Sequence, residues 1–218
     1  MTIRKSIGFA LAGVWLLLAG TTWAEVYSDA SQVRPLLPGS EIPAFKLLDV
    51  SGESINVDPG HLEKPIVLTF YRGGWCPYCN LHLAELRHAE ERLRELGFAV
   101  WFVSPDRPEL LTEGEDAAQG YRLLSDADAS VTEAFGVAFR LDDETNSQYR
   151  EFGVNLDERS GVANQVLPVA STFLIGSDGI VQFTYANPDY TVRLAPEVLV
   201  AAAEAYVEQS HRRLQRAR

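Results

Sequence analysis

The sequence predicts an α/β protein in which a central mixed sheet is flanked by helices. Residues 65–104 run from an unbroken apolar stretch, PIVLTFYR, through the helically spaced CPYCNLHLAELRHAEERLRELG, to a second apolar stretch, FAVWFVS. Strand, helix and strand in that compass form a βαβ unit, which favours parallel pairing and a right-handed crossover. Nearer the end, STFLIGSDGIVQFTYANP reads as two strands around Gly176-Ser177-Asp178-Gly179, a hairpin that makes the sheet mixed. Between the two, YRLLSDADASVTEAFGV supplies a short strand, an Asp126 or Asp128 start signal and a helix through Phe135.

Taken in order, the first 24 residues, MTIRKSIGFALAGVWLLLAGTTWA, have the build of a secretory signal peptide. Arg4 and Lys5 give a positive start, Ile7 to Ala19 an apolar centre, and Thr22-Trp23-Ala24 a small-residue exit with cleavage after Ala24. The apolar run is shorter than the roughly 20 residues of a spanning helix. A periplasmic or secreted location is therefore expected, with membrane anchoring by an uncleaved segment as the alternative. Residues 25–35 read as an N-terminal arm, 36–210 as one domain and 211–218, HRRLQRAR, as a basic tail.

Within the domain, FKLLDVSGESINV predicts a hairpin about Asp49-Val50-Ser51-Gly52. PIVLTFYR fits a central strand covered on both faces. The following helix places Leu81, Ala84, Leu86, Ala89, Leu93 and Leu96 at helical spacing and stops at Gly97. SPDRPEL starts a short helix, EGEDAAQG is an acidic loop, and residues 138–166 are polar and irregular: an ordered insertion near a functional surface or a mobile one. APEVLVAAAEAYVEQSHRRLQ is a terminal helix opened by Pro196. This order of elements is that of a thioredoxin-like fold.

The formal net charge of −11 disfavours nucleic acid and anionic lipid as partners. Cysteine usage is more informative. A chain expected in an oxidising compartment carries only two, Cys76 and Cys79, inside YRGGWCPYCN. A disulfide between them closes almost no loop, so stability explains the pair poorly.

Cys76 falls where the central strand gives way to the helix, and unpaired amides with the helix dipole favour a negative charge there. The thiolate is the nucleophile. Pro77 suits the first helical turn, and Cys79 lies one turn on, within reach of disulfide closure. Cys76, expected to be exposed, would attack and Cys79 would resolve the mixed disulfide. Gly73 and Gly74 either let a substrate backbone approach or serve as a plain turn, and Trp75 either shields the thiols or packs in the core. A zinc reading would recruit His82 and His88, but the second thiol pair of a structural site is missing.

The stretches FYRGGWCPYCNLHLAEL, SPD, LLSDADASVTEAFGV and STFLIGSDGIVQF follow in an order that resembles the alkyl hydroperoxide reductase/thiol-specific antioxidant family, in its peroxiredoxin-like branch carrying C-x-x-C. The resemblance runs from about Leu36 to Tyr206. It implies a thioredoxin-like fold and thiol redox chemistry. The family's signature, P-x-x-x-T/S-x-x-C, supplies a proline and a hydroxyl to a peroxide pocket; Thr69 and Gly73 stand at those positions. The family also implies an arginine at the position preceding STF, where this chain has Ala170, with Arg72 and Arg140 as substitutes in space. Thioredoxin-like proteins place a cis-proline at the same point; the nearest proline is Pro168.

The function expected from the sequence is an exported thiol-disulfide oxidoreductase that uses the Cys76–Cys79 couple and no other cofactor. Its partners would be protein or small-molecule disulfides and a thiol electron donor. The alternatives are a thiol-dependent peroxidase acting on hydroperoxides through the same two residues, and a non-catalytic module that binds a metal or a partner.

Overall fold

Every residue of β3 (Ile66–Phe70) is buried, as a strand covered on both faces requires. The computed structural model describes residues 26–111 and 120–216, so the expected signal peptide and most of the acidic EGEDAAQG loop lie outside the described residues. β3 runs parallel to β4 (Ala99–Ser104), with Phe70 opposite Val103, and antiparallel to β8 (Ala170–Ile175), with Phe70 opposite Ser171. β5 (Tyr121–Ser125) extends the parallel run, and β9 (Val181–Asn187) completes the expected hairpin with β8. The N-terminal hairpin, β1 (Phe45–Leu48) and β2 (Ser54–Val57), joins through β5. The seven-stranded order is β2-β1-β5-β4-β3-β8-β9.

Side chains alternate across this sheet and divide the core in two. Val67, Tyr71, Val100 and Phe102 meet α1 (Pro77–Glu95) and α5 (Pro196–Arg216), where Leu83, Leu86, Leu93, Leu199 and Ala203 complete one cluster. Leu68, Phe70 and Phe173 face the other way, against Val131 of α2 (Ser130–Ala134), Phe135 and Ile42. α1 is the predicted crossover, and Gly97 ends it at φ +92°. Its buried stripe is turned from the expected one: Leu81 is 60% exposed and Ala84 is exposed, while Cys79, His82 and Leu83 point inward. Both α5 and the sheet press on that side, so the stripe follows Cys79 and not the first leucine. α5 continues to Arg216, and residues 211–216, read as a separate tail, extend the helical backbone.

The polar segment 138–166 is an ordered insertion. β6 (Ala138–Arg140) pairs with β7 (Val166–Pro168) in a second, two-stranded sheet, with α3 (Asp143–Glu151) and α4 (Leu156–Ser160) between them. Caps hold these short helices: Asp142 accepts from Thr145 N at 2.8 Å, and Asn155 caps α4. Leu141, Leu156 and Leu167 form a small cluster that also receives Trp75 and Tyr149. SPDRPEL makes only a 3-10 turn over Pro108–Leu110. The N-terminal arm is tied down by Arg34 N and Leu36 N, which donate to the carbonyls of Gly136 and Phe135 at 3.0 and 3.1 Å.

Phe135 is fully buried, and its ring meets those of Phe45, Phe70 and Phe173 at 5.6, 5.4 and 5.1 Å between centroids. Phe135→Ala is expected to lower stability by about 3–5 kcal/mol, read as a shift of the urea midpoint at unchanged slope.

Candidate active site

The carboxyl ends of β3 and β4 open onto one loop cluster, the usual place for a site in an α/β sheet. β3 ends at Phe70, and the chain runs through Tyr71 to Trp75 before α1 begins. Cys76 is the N-cap residue of α1, with no side-chain cap, and Pro77 occupies the first turn, where a missing N–H costs nothing. The Cys76 carbonyl accepts from Cys79 N at 3.0 Å and Asn80 N at 3.1 Å. Asn80 also reaches back, its Nδ2 donating to Gly74 O at 2.8 Å.

Both cysteines are free thiols and both are buried, Cys76 at 2% exposure and Cys79 at 0%. This corrects the exposed attacking thiol expected from sequence, because side chains from distant parts of the chain close over the helix start. The two sulfurs are nevertheless driven apart in acidity. The Cys79 thiol donates to the Cys76 sulfur, which with the backbone N–H of Cys79, Arg72 and Arg193 outweighs burial and lowers the Cys76 pKa to about 6. Cys79 is pushed well above the ordinary thiol value, first by burial and then by the neighbouring Cys76. The two thiols are thus distinguished electrostatically, with the thiolate favoured at Cys76.

Two guanidinium groups supply the positive charge. Arg72 is buried and lies over three aromatic rings, 4.3 Å from the centroid of Tyr190, 5.2 Å from Trp75 and 5.4 Å from Tyr149. Burial weakens its hold on a proton, and the Cys76 and Cys79 sulfurs offset only part of that loss. Arg193, from the connection between β9 and α5, places Nη2 at 3.3 Å from the Cys79 sulfur. Arg140, the other substitute expected, is exposed on β6 and donates to Asn164 O.

The loop before Cys76 is held by a buried carboxylate. Asp106, of the SPD stretch after β4, accepts from Gly74 N at 3.1 Å and receives Arg159 of α4 in a two-pronged pair at 2.8 and 3.0 Å. This geometry is the strong form of an arginine–carboxylate contact. Gly73 has φ +141°, a glycine conformation, and a Cβ there would sit 2.6 Å from Asp106 Oδ2. Trp75 packs against both the main core and the insertion cluster, so its shielding and core roles coincide. Thr69 lies buried within β3, its hydroxyl 3.1 Å from that of Thr172 on β8.

Ala170 starts β8 one step beyond the Phe70–Ser171 pair, opposite Asn187 on β9. Pro168 sits in β7 opposite Ala138, and no peptide bond among the described residues is cis. His82, a nitrogen of the zinc reading, is buried with Nε2 at 3.1 Å from Leu194 O. Carbonyl oxygens only accept, so Nε2 carries the hydrogen. Its Nδ1 is buried without a hydrogen-bond partner, which costs about 1–3 kcal/mol where a typical hydrogen bond returns about 1. Burial and Arg193 lower the His82 pKa to about 4. His88 is exposed, and no metal-holding group of three or more His, Cys, Asp or Glu occurs among the described residues.

Arg193, Tyr190, Tyr149 and Arg159 escape sequence reasoning. Each is a lone residue in a connection or a short helix, with no periodicity or spacing that ties it to Cys76. Asp106 carried a signal in SPD, though not its role under the Cys76 loop.

An acidified thiol and a second thiol one turn away, on a thioredoxin-type sheet, define a thiol-based oxidoreductase. Residues 38–184 match the AhpC/TSA family, and this chain belongs to that family. Peroxiredoxin Bcp of Escherichia coli (strain K12) is 34% identical over 106 residues, 48% of this chain and 67% of that protein. The chloroplastic peroxiredoxin Q of Triticum aestivum is 27% identical over 154 residues, 68% of this chain and 58% of that protein. Among solved structures, peroxidoxin BcpB from Mycobacterium tuberculosis has a TM-score of 0.58 at 22% identity, covering 77% of this chain and 96% of its own. Reduced Prx3 from Vibrio vulnificus, in complex with hydrogen peroxide, has a TM-score of 0.61 at 18% identity, covering 77% and 99%. These neighbours share the fold. Membership in the family corrects the non-catalytic alternative.

The depressed Cys76 pKa fixes a pH profile. Alkylation of the reduced protein is expected to rise through about pH 6 and level off above it. Because the folded value lies below the unfolded thiol's 9.0, the stability linked to this thiolate is complete above about pH 9 and is lost as pH falls through about 6. Arg193→Met should move the alkylation midpoint upward. A second substitution tests the loop. Gly73→Thr installs the hydroxyl that the family signature carries, yet it is expected to destabilise the protein by about 1–3 kcal/mol and to slow Cys76 alkylation, measured by denaturant titration and thiol kinetics.

Proposed function

We propose that this chain is a thiol-dependent peroxidase in which Cys76 reduces a hydroperoxide and Cys79 resolves the product. The Cys76 thiolate attacks one peroxide oxygen, the O–O bond breaks, and water or an alcohol leaves with a proton, so that Cys76 becomes a sulfenic acid. Cys79 then loses its proton and attacks the Cys76 sulfur; an S–S bond forms and the oxygen leaves as water. A thiol donor returns both sulfurs to the reduced state.

This reverses the order of preference read from the sequence. The observation that carries it is that Cys76, whose thiol is acidified, is a residue only 2% exposed. A hydroperoxide is small enough to reach such a sulfur, whereas a disulfide on a folded protein must bring bulky backbone to it. The peroxiredoxin relatives support the same reading. Dithiol-disulfide exchange is the second reading, favoured by Gly73 and Ala170, where the family's hydroxyl and arginine would stand. Export to the periplasm or beyond is also proposed, on the basis of the first 24 residues.

The test is to mix reduced Cys79→Ser protein with hydrogen peroxide and trap the product. Sulfenic acid on Cys76 is expected to accumulate at least about a hundredfold faster than on an unperturbed thiol, while the parent protein forms the Cys76–Cys79 disulfide. A rate equal to that of an ordinary thiol, with rapid reduction of small disulfides, would establish the exchange reading instead.

A further inference from the structure

His82 is an unexpected occupant of the buried face of α1. It lies one turn after Cys79 at 4% exposure, with Leu83 and Leu86 as inward-facing neighbours on the same helix. An apolar residue would fill that space without leaving Nδ1 bare. What the imidazole adds is one N–H, aimed at the carbonyl of Leu194. Leu194 directly follows Arg193, whose Nη2 touches the Cys79 sulfur. Residues 188–195 form neither strand nor helix. A guanidinium carried by such a connection stays on a sulfur only if the connection is anchored close by, and the His82–Leu194 bond is such an anchor.

We propose that His82 is a positioning residue: it holds the Arg193 segment against Cys79 and so sets how readily Cys79 acts as the resolving nucleophile. The charged and titratable groups facing Cys79 are Cys76 on α1, Arg72 from the loop after β3, and Arg193. In the resolving step Cys79 gives its proton to solvent and displaces the group carried by Cys76. A guanidinium beside the sulfur favours the thiolate that does this. The inference rests on the Cys76–Cys79 pairing proposed above, but its readout does not depend on peroxide.

The aromatic disulfide 5,5′-dithiobis(2-nitrobenzoate) separates the two thiols. Its reaction with Cys76 forms a mixed disulfide and releases one aryl thiolate. Attack by Cys79 on the Cys76 sulfur then breaks that bond, closes the Cys76–Cys79 disulfide and releases the second. The second release is expected to slow about tenfold in His82→Leu and His82→Asn, with its pH profile moved about one unit upward. His82→Gln, whose amide nitrogen reaches the place of Nε2, should stay within about threefold of the parent. His82→Asn is shorter by one methylene and cannot reach Leu194 O, so the Asn–Gln pair decides the matter even if His82→Leu fails to fold. Arg193→Met should slow the second release equally, and adding His82→Asn to it should slow it no further. An Asn variant as fast as the parent, or a Gln variant as slow as Asn, would overturn the inference. A parent that shows the second release but ignores hydrogen peroxide would leave His82's role standing and remove the peroxidase reading.

Discussion

Two sulfur atoms closed off from water at the first turn of α1 demand compensating positive charge, and the rest of the site is arranged around that demand. The helix terminus offers only a partial charge. Two guanidinium groups complete it, Arg72 from just before Cys76 and Arg193 from the connection between β9 and α5. Each brings a difficulty of its own. Arg72 is itself buried, and the faces of Trp75, Tyr149 and Tyr190 take the place of lost water, cation–π contacts that reach about 2 kcal/mol when desolvated. Arg193 rides on an irregular connection that has to be anchored.

The family's missing hydroxyl has a local cause in the loop before Cys76. By sequence alone, Gly73 at the place of that hydroxyl weighs toward the exchange reading. In the folded chain Gly73 lies tight against Asp106 and Trp75 at a backbone angle reserved for glycine. The residue answers to the geometry of a loop held by Asp106, whatever the substrate. Thr69, at the signature's proline position, is likewise committed to a hydroxyl pair within the sheet.

What could be read in the sequence follows from how local each signal is. β3 announced itself because burial on both faces calls for a continuous β-branched and aromatic run, with Thr69 the one polar side chain in the strand and paired within the sheet, and the βαβ order fixed the neighbourhood of Cys76 and Pro77. The stripe on α1 was misjudged because Leu81, apolar yet 60% exposed, carries the same local pattern as a core leucine. The segment 138–166 hid its helices because they are short, rest on caps such as Asp142, and bury only a few leucines. Arg193 and Tyr190 left no trace at all, since their meaning arises only when α5 folds back beside α1.

The pair between Asp106 and Arg159 ties two stretches of the chain into a single unit of inheritance. Asp106 sits in the family's SPD stretch and is buried beneath the Cys76 loop, while its guanidinium partner arrives on a short helix of the insertion. Transplanting residues 138–166 without position 106 would break this two-pronged pair beneath the Cys76 loop. A chimaera that keeps the pair has to carry both segments, so the apparent decoration of the fold is tied to the motif it covers.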